Sequence, residues 1–437
     1  RVTGQATEVA SDRIVPGRSL TAQQLKVDVT NDALRVSGRA QLSGVPFEGS
    51  WRLPIPSPGQ PGAASRVDGI VQLSEQAAQA FGVALPEGTI TGDAPANLTV
   101  TLPPGTPPTF ALTSRLQGLG LSVPPVGWSL DKNTPGNLRI AGTLSTPVQV
   151  DRVELSGPGL QTEGAILLNA DGSLDRVELE RLEVGRWLNA PVTLTGRGTG
   201  LAPSVRINGG RVDLRSAPFG GDGANESAAA SPAPLTVVLD SLQLSNSIRL
   251  ADFRADLRAG DGLTGNFTAQ VNGAALIAGE AIAQNGGTAL RIRSEDAGRV
   301  IAEAGILKTV AGGDLTLALA PVAGQPGSYD GALDVRNARL RDAPGIASLL
   351  DAISIVGLLD QLEGPGILFT EVEARFRLTP DKVILTRSSA TGPSMGISLD
   401  GLFDLSQGVL DMQGVVSPIF FLNGIGSIFT RKGEGLI

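Results

Sequence analysis

Ser294-Glu295-Asp296-Ala297-Gly298-Arg299-Val300-Ile301-Ala302-Glu303-Ala304-Gly305 is followed at Gly312 by Gly313-Asp314-Leu315-Thr316-Leu317-Ala318-Leu319, and at Ala332 by Leu333-Asp334-Val335-Arg336. The hydrophobic period of the chain changes within this stretch. Ala297, Val300, Ile301 and Ala304 recur at helical spacing. The Ser294 hydroxyl is placed to accept from a free N–H of the first turn, Glu295 and Asp296 bring the charge that a helix N-terminus favours, and Gly305 supplies the stop. From Asp314 onward every second side chain is leucine, the two-residue period of a strand with one apolar face. Pro326, Gly327 and Ser328 then turn the chain, a second alternating run follows, and Asp342-Ala343-Pro344 opens a long apolar helix ending at Leu362. The expected order is helix, strand, turn, strand, helix.

Outward from this stretch the period of two dominates. In 371–379, Val372, Ala374, Phe376 and Leu378 share one face, while Glu371, Glu373, Arg375 and Arg377 share the other. Leu25, Val27 and Val29, then Leu34 and Val36, alternate on either side of an Asn31-Asp32 turn. Pro54, Pro56 and Pro58 break the sheet pattern, and Ser74 caps a short helix closed by Gly82. Strand–turn–strand units recur at 151–155, 164–168 and 175–179, and again at 381–385, 396–399, 402–405 and 409–411, the pattern of a sheet that grows by adding hairpins. Residues 216–234 are of low complexity. The expected division is a β segment at 1–215, a linker or loop at 216–234, and a second β segment at 235–437 with helices near 295–305 and 344–362.

Composition agrees with many short strands and turns: Gly numbers 57, Pro 29, and aromatics are only 4% of the 437 residues, so aliphatic side chains must do the packing. The net charge of −8, without a basic cluster, speaks against a nucleic-acid partner. Cysteine and histidine are absent, which removes disulfides, thiolate chemistry, the usual zinc sites and every triad that needs imidazole. No cofactor is expected. The chain opens on Arg1 with no signal segment and holds no convincing spanning run, so a piece of a longer protein is expected.

Each motif that hints at chemistry has a plainer reading. Gly196-Arg197-Gly198-Thr199-Gly200 lacks the following helix of a phosphate cradle and reads as a turn. Asn169-Ala170-Asp171-Gly172-Ser173-Leu174-Asp175 has alternating oxygen donors but no closing glutamate, so a hairpin turn is expected there. Glu178 with Glu180, and Glu371 with Glu373, are solvated charges on one side of a strand. A non-enzyme is expected. In 344–362, Ile346, Leu349, Leu350, Ile353, Ile355, Val356, Leu358, Leu359 and Leu362 cover nearly the whole helix, while Asp351, Gly357 and Asp360 argue against a span. Burial against the sheet and contact with lipid both satisfy such a helix. Residues 412–430 carry no charge and read as a strand, then a loop or interfacial segment.

The order Ser294-Glu295-Asp296-Ala297-Gly298, Ala304-Gly305-Ile306, Gly312-Gly313-Asp314-Leu315, Tyr329-Asp330-Gly331 and Leu340-Arg341-Asp342-Ala343-Pro344 resembles the C-terminal part of the AsmA-like envelope proteins, the YhdP type in particular. Ser74-Glu75-Gln76-Ala77, Phe81-Gly82, Gly92-Asp93-Ala94-Pro95-Ala96-Asn97-Leu98, Arg181-Leu182-Glu183-Val184-Gly185 and Val212-Asp213-Leu214-Arg215 resemble earlier segments of the same proteins. The resemblance implies a curled β-groove that moves phospholipid between the two membranes of a Gram-negative envelope. It further implies a periplasmic location, an inner-membrane anchor outside this chain, an outer-membrane approach near the C-terminus, and other envelope proteins as possible partners.

The fold expected from the residues is mainly β, an elongated, mostly antiparallel sheet of about 35 strands at about 4.8 Å each, which must curl. One face would then line an aliphatic interior suited to phospholipid acyl chains. The expected groove lining is Leu315, Leu317, Leu319, Val372, Ala374, Phe376 and Leu378, with Ile346, Leu349, Leu350, Ile353, Val356 and Leu359 as a groove cap or membrane contact. The alternatives are a β-solenoid envelope scaffold or adhesin with a filled interior, and a polysaccharide-active β-helix enzyme.

Overall fold

The structure is a computed structural model and describes residues 1–417 apart from 16–17, 58–61, 84, 199, 219–231, 343–346, 348–361, 363 and 406–408. The fold is mainly β and mostly antiparallel. The chain forms two compact units, Arg1–Arg206 with Ser216–Ala224, and Ile207–Arg215 with Asn225–Ile437.

In the first unit, successive strands pair antiparallel in chain order: Val2–Val15, Arg18–Val29, Ala33–Leu42, Val45–Pro54, Ser65–Leu73, Ala94–Leu102, Thr109–Ser114, Asn137–Thr143, Gln149–Gly157, Leu160–Leu168, Leu174–Val184 and Leu188–Thr195. Local turn chemistry makes this meander. The Thr30 hydroxyl accepts from the Ala33 N–H at 3.1 Å around the Asn31-Asp32 turn. At the other predicted turn, Asp171 accepts from both the N–H and the hydroxyl of Ser173, and Gly172 takes φ 82°. The meander is interrupted between Ser65–Leu73 and Ala94–Leu102 by the helix Glu75–Ala80, where the Ser74 hydroxyl accepts from the Ala77 N–H at 3.1 Å and Gly82 turns out at φ 81°, and again between Thr109–Ser114 and Asn137–Thr143. A small separate sheet joins Ile90–Gly92, Leu119–Val123 and Trp128–Leu130.

The second unit repeats the scheme with Ala233–Gln243, Arg249–Ala259, Leu263–Val271, Ala275–Gln284, Gly287–Ser294, Asp314–Pro321, Tyr329–Leu340, Ile367–Leu378, Lys382–Thr391, Gly396–Asp404 and Val409–Ser417. Arg211–Asp213 joins it by parallel pairing with Ser241 to Gln243, which ties 207–215 to this unit. Ala233 and Pro234, which composition places in the linker, instead open a strand, with Ala233 opposite Ala259.

The second unit is also interrupted by a helix, Ala297–Glu303, and here the expected cap is corrected. Asp296 is the N-cap, accepting from the Arg299 N–H at 3.0 Å, whereas Ser294 ends the preceding strand and its hydroxyl donates to the Leu276 carbonyl at 2.7 Å. The strand extends that far because Ser294 pairs with Leu315, which leaves the carboxylate two residues on to take the first-turn N–H. Of 344–362, only Ala347 and Leu362 are among the described residues; both are helical, and Leu362 is buried with Leu340, Ile367, Phe369 and Met395.

Candidate functional site

Register places the predicted lining residues in rows that run across the strands of the second unit. One row passes through direct partners from Val237 to Ala255, Phe267, Gly279, Ile292, Leu317, Leu333 and Ala374. The next row continues Ala281, Leu290, Leu319, Gly331, Phe376, Leu385, Gly401 and Met412. A third joins Pro321, Tyr329, Leu378, Val383 and Phe403. Directly opposed residues share a face, so these rows make one apolar surface. The first unit carries the same feature, with Val27, Val36, Trp51, Val67, Val100 and Phe110 in one row.

Exposure along the predicted lining is not uniform. Leu315 is 4% exposed and Val335 2%, packed with Ala297 and Ala338 beneath the helix Ala297–Glu303. Leu317, Leu319, Val372, Ala374, Phe376 and Leu378 are only half-buried. The helix therefore closes one margin of the apolar face; Val237, Ala255, Phe267 and Ala281, where the rows begin, are buried too, and the half-open stretch is the one from Leu290 and Ile292 to Leu385. In the first unit Ala77, on the helix Glu75–Ala80, covers Val45, Val71 and Ala96 in the same way. Ile346, Leu349, Leu350, Ile353, Val356 and Leu359 lie outside the described residues.

The opposite face is charged and internally matched. Arg377 meets Asp330 at 2.8 Å, and Arg375 meets Asp334 at 3.8 Å. A hollow on that face is lined by Arg291, Arg293, Asp314, Asp334, Arg336, Glu371 and Glu373, whose signs interleave and give no strong field to hold an ion. In the first unit, the Arg66 guanidinium donates to both oxygens of Asp68 and holds that carboxyl below its usual range, with a further bond from Thr99. Ser173 lowers Asp171 and Thr379 lowers Asp381 by hydrogen bonding. These are solvated surface pairs. Among the described residues no group of carboxylates is placed to hold a metal ion, and Glu371 and Glu373 are exposed on their strand.

Sequence reasoning missed one feature of the apolar face. Phe376 and Phe267 do not stand off the sheet. Each ring lies on a glycine directly opposite, Gly331 and Gly279, in the place a side chain would occupy. In the first unit the Phe47 ring lies over Gly49 and Gly69. The signal was a glycine inside each alternating run, but only register reveals the aromatic partner.

No helix among the described residues is long and apolar enough to cross a membrane. No family model, curated protein or solved structure matches this chain.

Proposed function

We propose that the chain is a non-catalytic stretch of lipid conduit, whose apolar sheet face carries the acyl chains of phospholipids while their headgroups stay in water. The observation that supports this is the run of half-buried apolar side chains in the middle of the rows, Ile292, Leu317, Leu333 and Ala374 beside Leu290, Leu319, Phe376 and Leu385. A filled scaffold would bury such rows to the degree that Leu315 and Val335 are buried beneath their helix. Half-covered alkyl surface in water is costly, at about 25 cal/mol for each Å² left wet, and an acyl chain laid along it removes that cost without needing a polar partner. Passage between the inner and outer membranes of a Gram-negative envelope, a periplasmic location and a membrane anchor outside this chain follow from the resemblance to the AsmA-like proteins. Mass spectrometry of the gently purified chain tests the reading. Co-purified phospholipid, or its uptake from vesicles, is the expected result. A folded chain that neither carries nor acquires lipid refutes the conduit and returns the filled scaffold.

A further inference from the structure

The phenylalanine–glycine pairs carry an inference that rests on the conduit reading and goes further. A Cβ on Gly331 would fall 2.2, 2.3 and 2.7 Å from three ring carbons of Phe376. One on Gly279 would fall 2.2, 2.5 and 2.7 Å from ring carbons of Phe267, and one on Gly69 would fall 2.5 Å from two carbons of Phe47. None of these glycines has a positive φ. Backbone conformation therefore does not demand glycine at any of the three positions; space for the ring does at Gly331 and Gly279, and at Gly69 the ring and the Glu48 carbonyl, 2.6 Å from such a Cβ, do so together. Glycine inside a strand weakens it, so a recurring exchange of side chain for ring calls for a reason at the surface it creates. That reason is height. A ring laid on the backbone raises the face by one van der Waals thickness, about 3.5–4 Å, whereas a ring on its edge stands well above its aliphatic neighbours. Phe253 extends the flat layer, stacked on Phe267 with centroids 5.8 Å apart and planes at 28°.

We propose that Gly331 and Gly279 are depth-setting residues. They hold Phe376 flat on the half-buried rows, and Phe267 flat in the buried stretch where the first row begins, so that an extended acyl chain can run along the open rows, across the strands, without meeting an upright ring. A methyl group at position 331 takes the space of the ring and forces Phe376 up into the row that joins Leu319 to Leu385.

The test uses the full chain, incubated with phosphatidylethanolamine vesicles containing an acyl-labelled fluorescent phosphatidylethanolamine, with the lipid-to-protein ratio read after the vesicles are removed. Circular dichroism and melting report folding. Gly331→Ala is expected to lose most of the wild-type lipid, and the double variant Gly331→Ala/Phe376→Ala to regain it, because the methyl group is harmless once the ring is gone. Wild-type loading of Gly331→Ala, or a folded double variant as empty as the single one, overturns the inference. A wild-type chain that takes up no lipid refutes the conduit itself, and this inference with it. If Gly331→Ala does not fold, Gly279→Ala with and without Phe267→Ala makes the same comparison: loss and recovery of lipid support the inference, and either wild-type loading of the single variant or a folded, empty double variant overturns it.

Discussion

Whether the apolar face is open or filled is decided by placing the same charge at two of its positions. Val335 is 2% exposed, packed under the helix Ala297–Glu303 with Leu315 and Ala338. An aspartate there would enter a cluster of Ala297, Leu315 and Ala338 that holds no cation, and a buried polar group without a partner costs several kcal/mol. Val335→Asp should therefore unfold the second unit or lower its melting temperature steeply. Phe376 is half-buried, and its ring rests on Gly331. Replacing it forfeits part of the ~1.5–3 kcal/mol that full burial of such a side chain supplies, so about 1–2 kcal/mol. The new carboxylate can hydrate from the open side.

For a unit of this size that loss corresponds to a fall of roughly 3–6 °C in melting temperature. Scanning calorimetry on both variants, with lipid counted on each, is the assay. Phe376→Asp should melt near the wild type and carry little lipid, since an acyl chain would have to pass a hydrated charge. If the two variants are equally destabilised, the face is a filled core. Full lipid occupancy in a folded Phe376→Asp variant would mean that this row does not carry the chain.

Gly298→Ala should lift the helix from the sheet, because its Cβ would meet backbone atoms of Val310, Ala311 and Gly312 at 2.6–2.8 Å; a loss of about 1–3 kcal/mol by denaturant titration is expected. Asp296→Ala should cost about 1 kcal/mol through the lost cap, and more than Glu295→Ala, whose residue does not cap. Arg377→Asp, on the charged face, should change stability by less than about 1 kcal/mol in a salt-dependent way and leave lipid occupancy unchanged. Asp28, Asp68, Asp171 and Asp381 all titrate below the ordinary value of 3.8, with Lys26, Arg66, Ser173 and Thr379 as their first partners. The stability they contribute is whole above that value and is lost as pH falls through their lower native values. With no histidine in the chain, calorimetry should show a melting temperature that is flat from about pH 8 to 5 and falls only below about pH 4; a step between about pH 8 and 5 would contradict this.

The period of two was legible in the sequence because it is enforced physically: a strand with one face toward apolar cover and one toward water must alternate, and Glu371 to Leu378 does so throughout. What register alone decides was not legible. Leu315, Leu317 and Leu319 read identically in the run from Asp314, yet only Leu315 is fully buried under the helix, with Leu317 at the edge of that cluster, because Leu315 opposes the end of the preceding strand at Ser294. The inserted residue that lets Arg375 face Arg387 while Phe376 faces Leu385 leaves no mark in the alternation of either strand. Ser294 and Asp296 are both competent caps by type. The choice fell to Asp296 because the sheet had already claimed Ser294.

The two helices explain why a plain meander is not enough. Ser74-Glu75-Gln76-Ala77 and Ser294-Glu295-Asp296-Ala297 stand at equivalent points of their units. In each unit the strand before the helix pairs with a strand well beyond it, so the connection must cross one end of the ladder. In each the crossing helix buries an alanine, Ala77 at 5% or Ala297 at 0%, and ends at a glycine of positive φ, Gly82 or Gly305. A small residue is needed at the contact because a helix that covers a sheet margin closely must bring its backbone near the strands; a larger side chain would prop it away. Without the helix, the rows at that margin would be as open as the inner ones. Exposed on both margins, an apolar strip invites edge-to-edge and face-to-face aggregation. With one margin sealed, the half-wet part of the face is the stretch from Leu290 and Ile292 to Leu385. The same device in both units makes the sealed margin a property of the repeat, not of one local cluster.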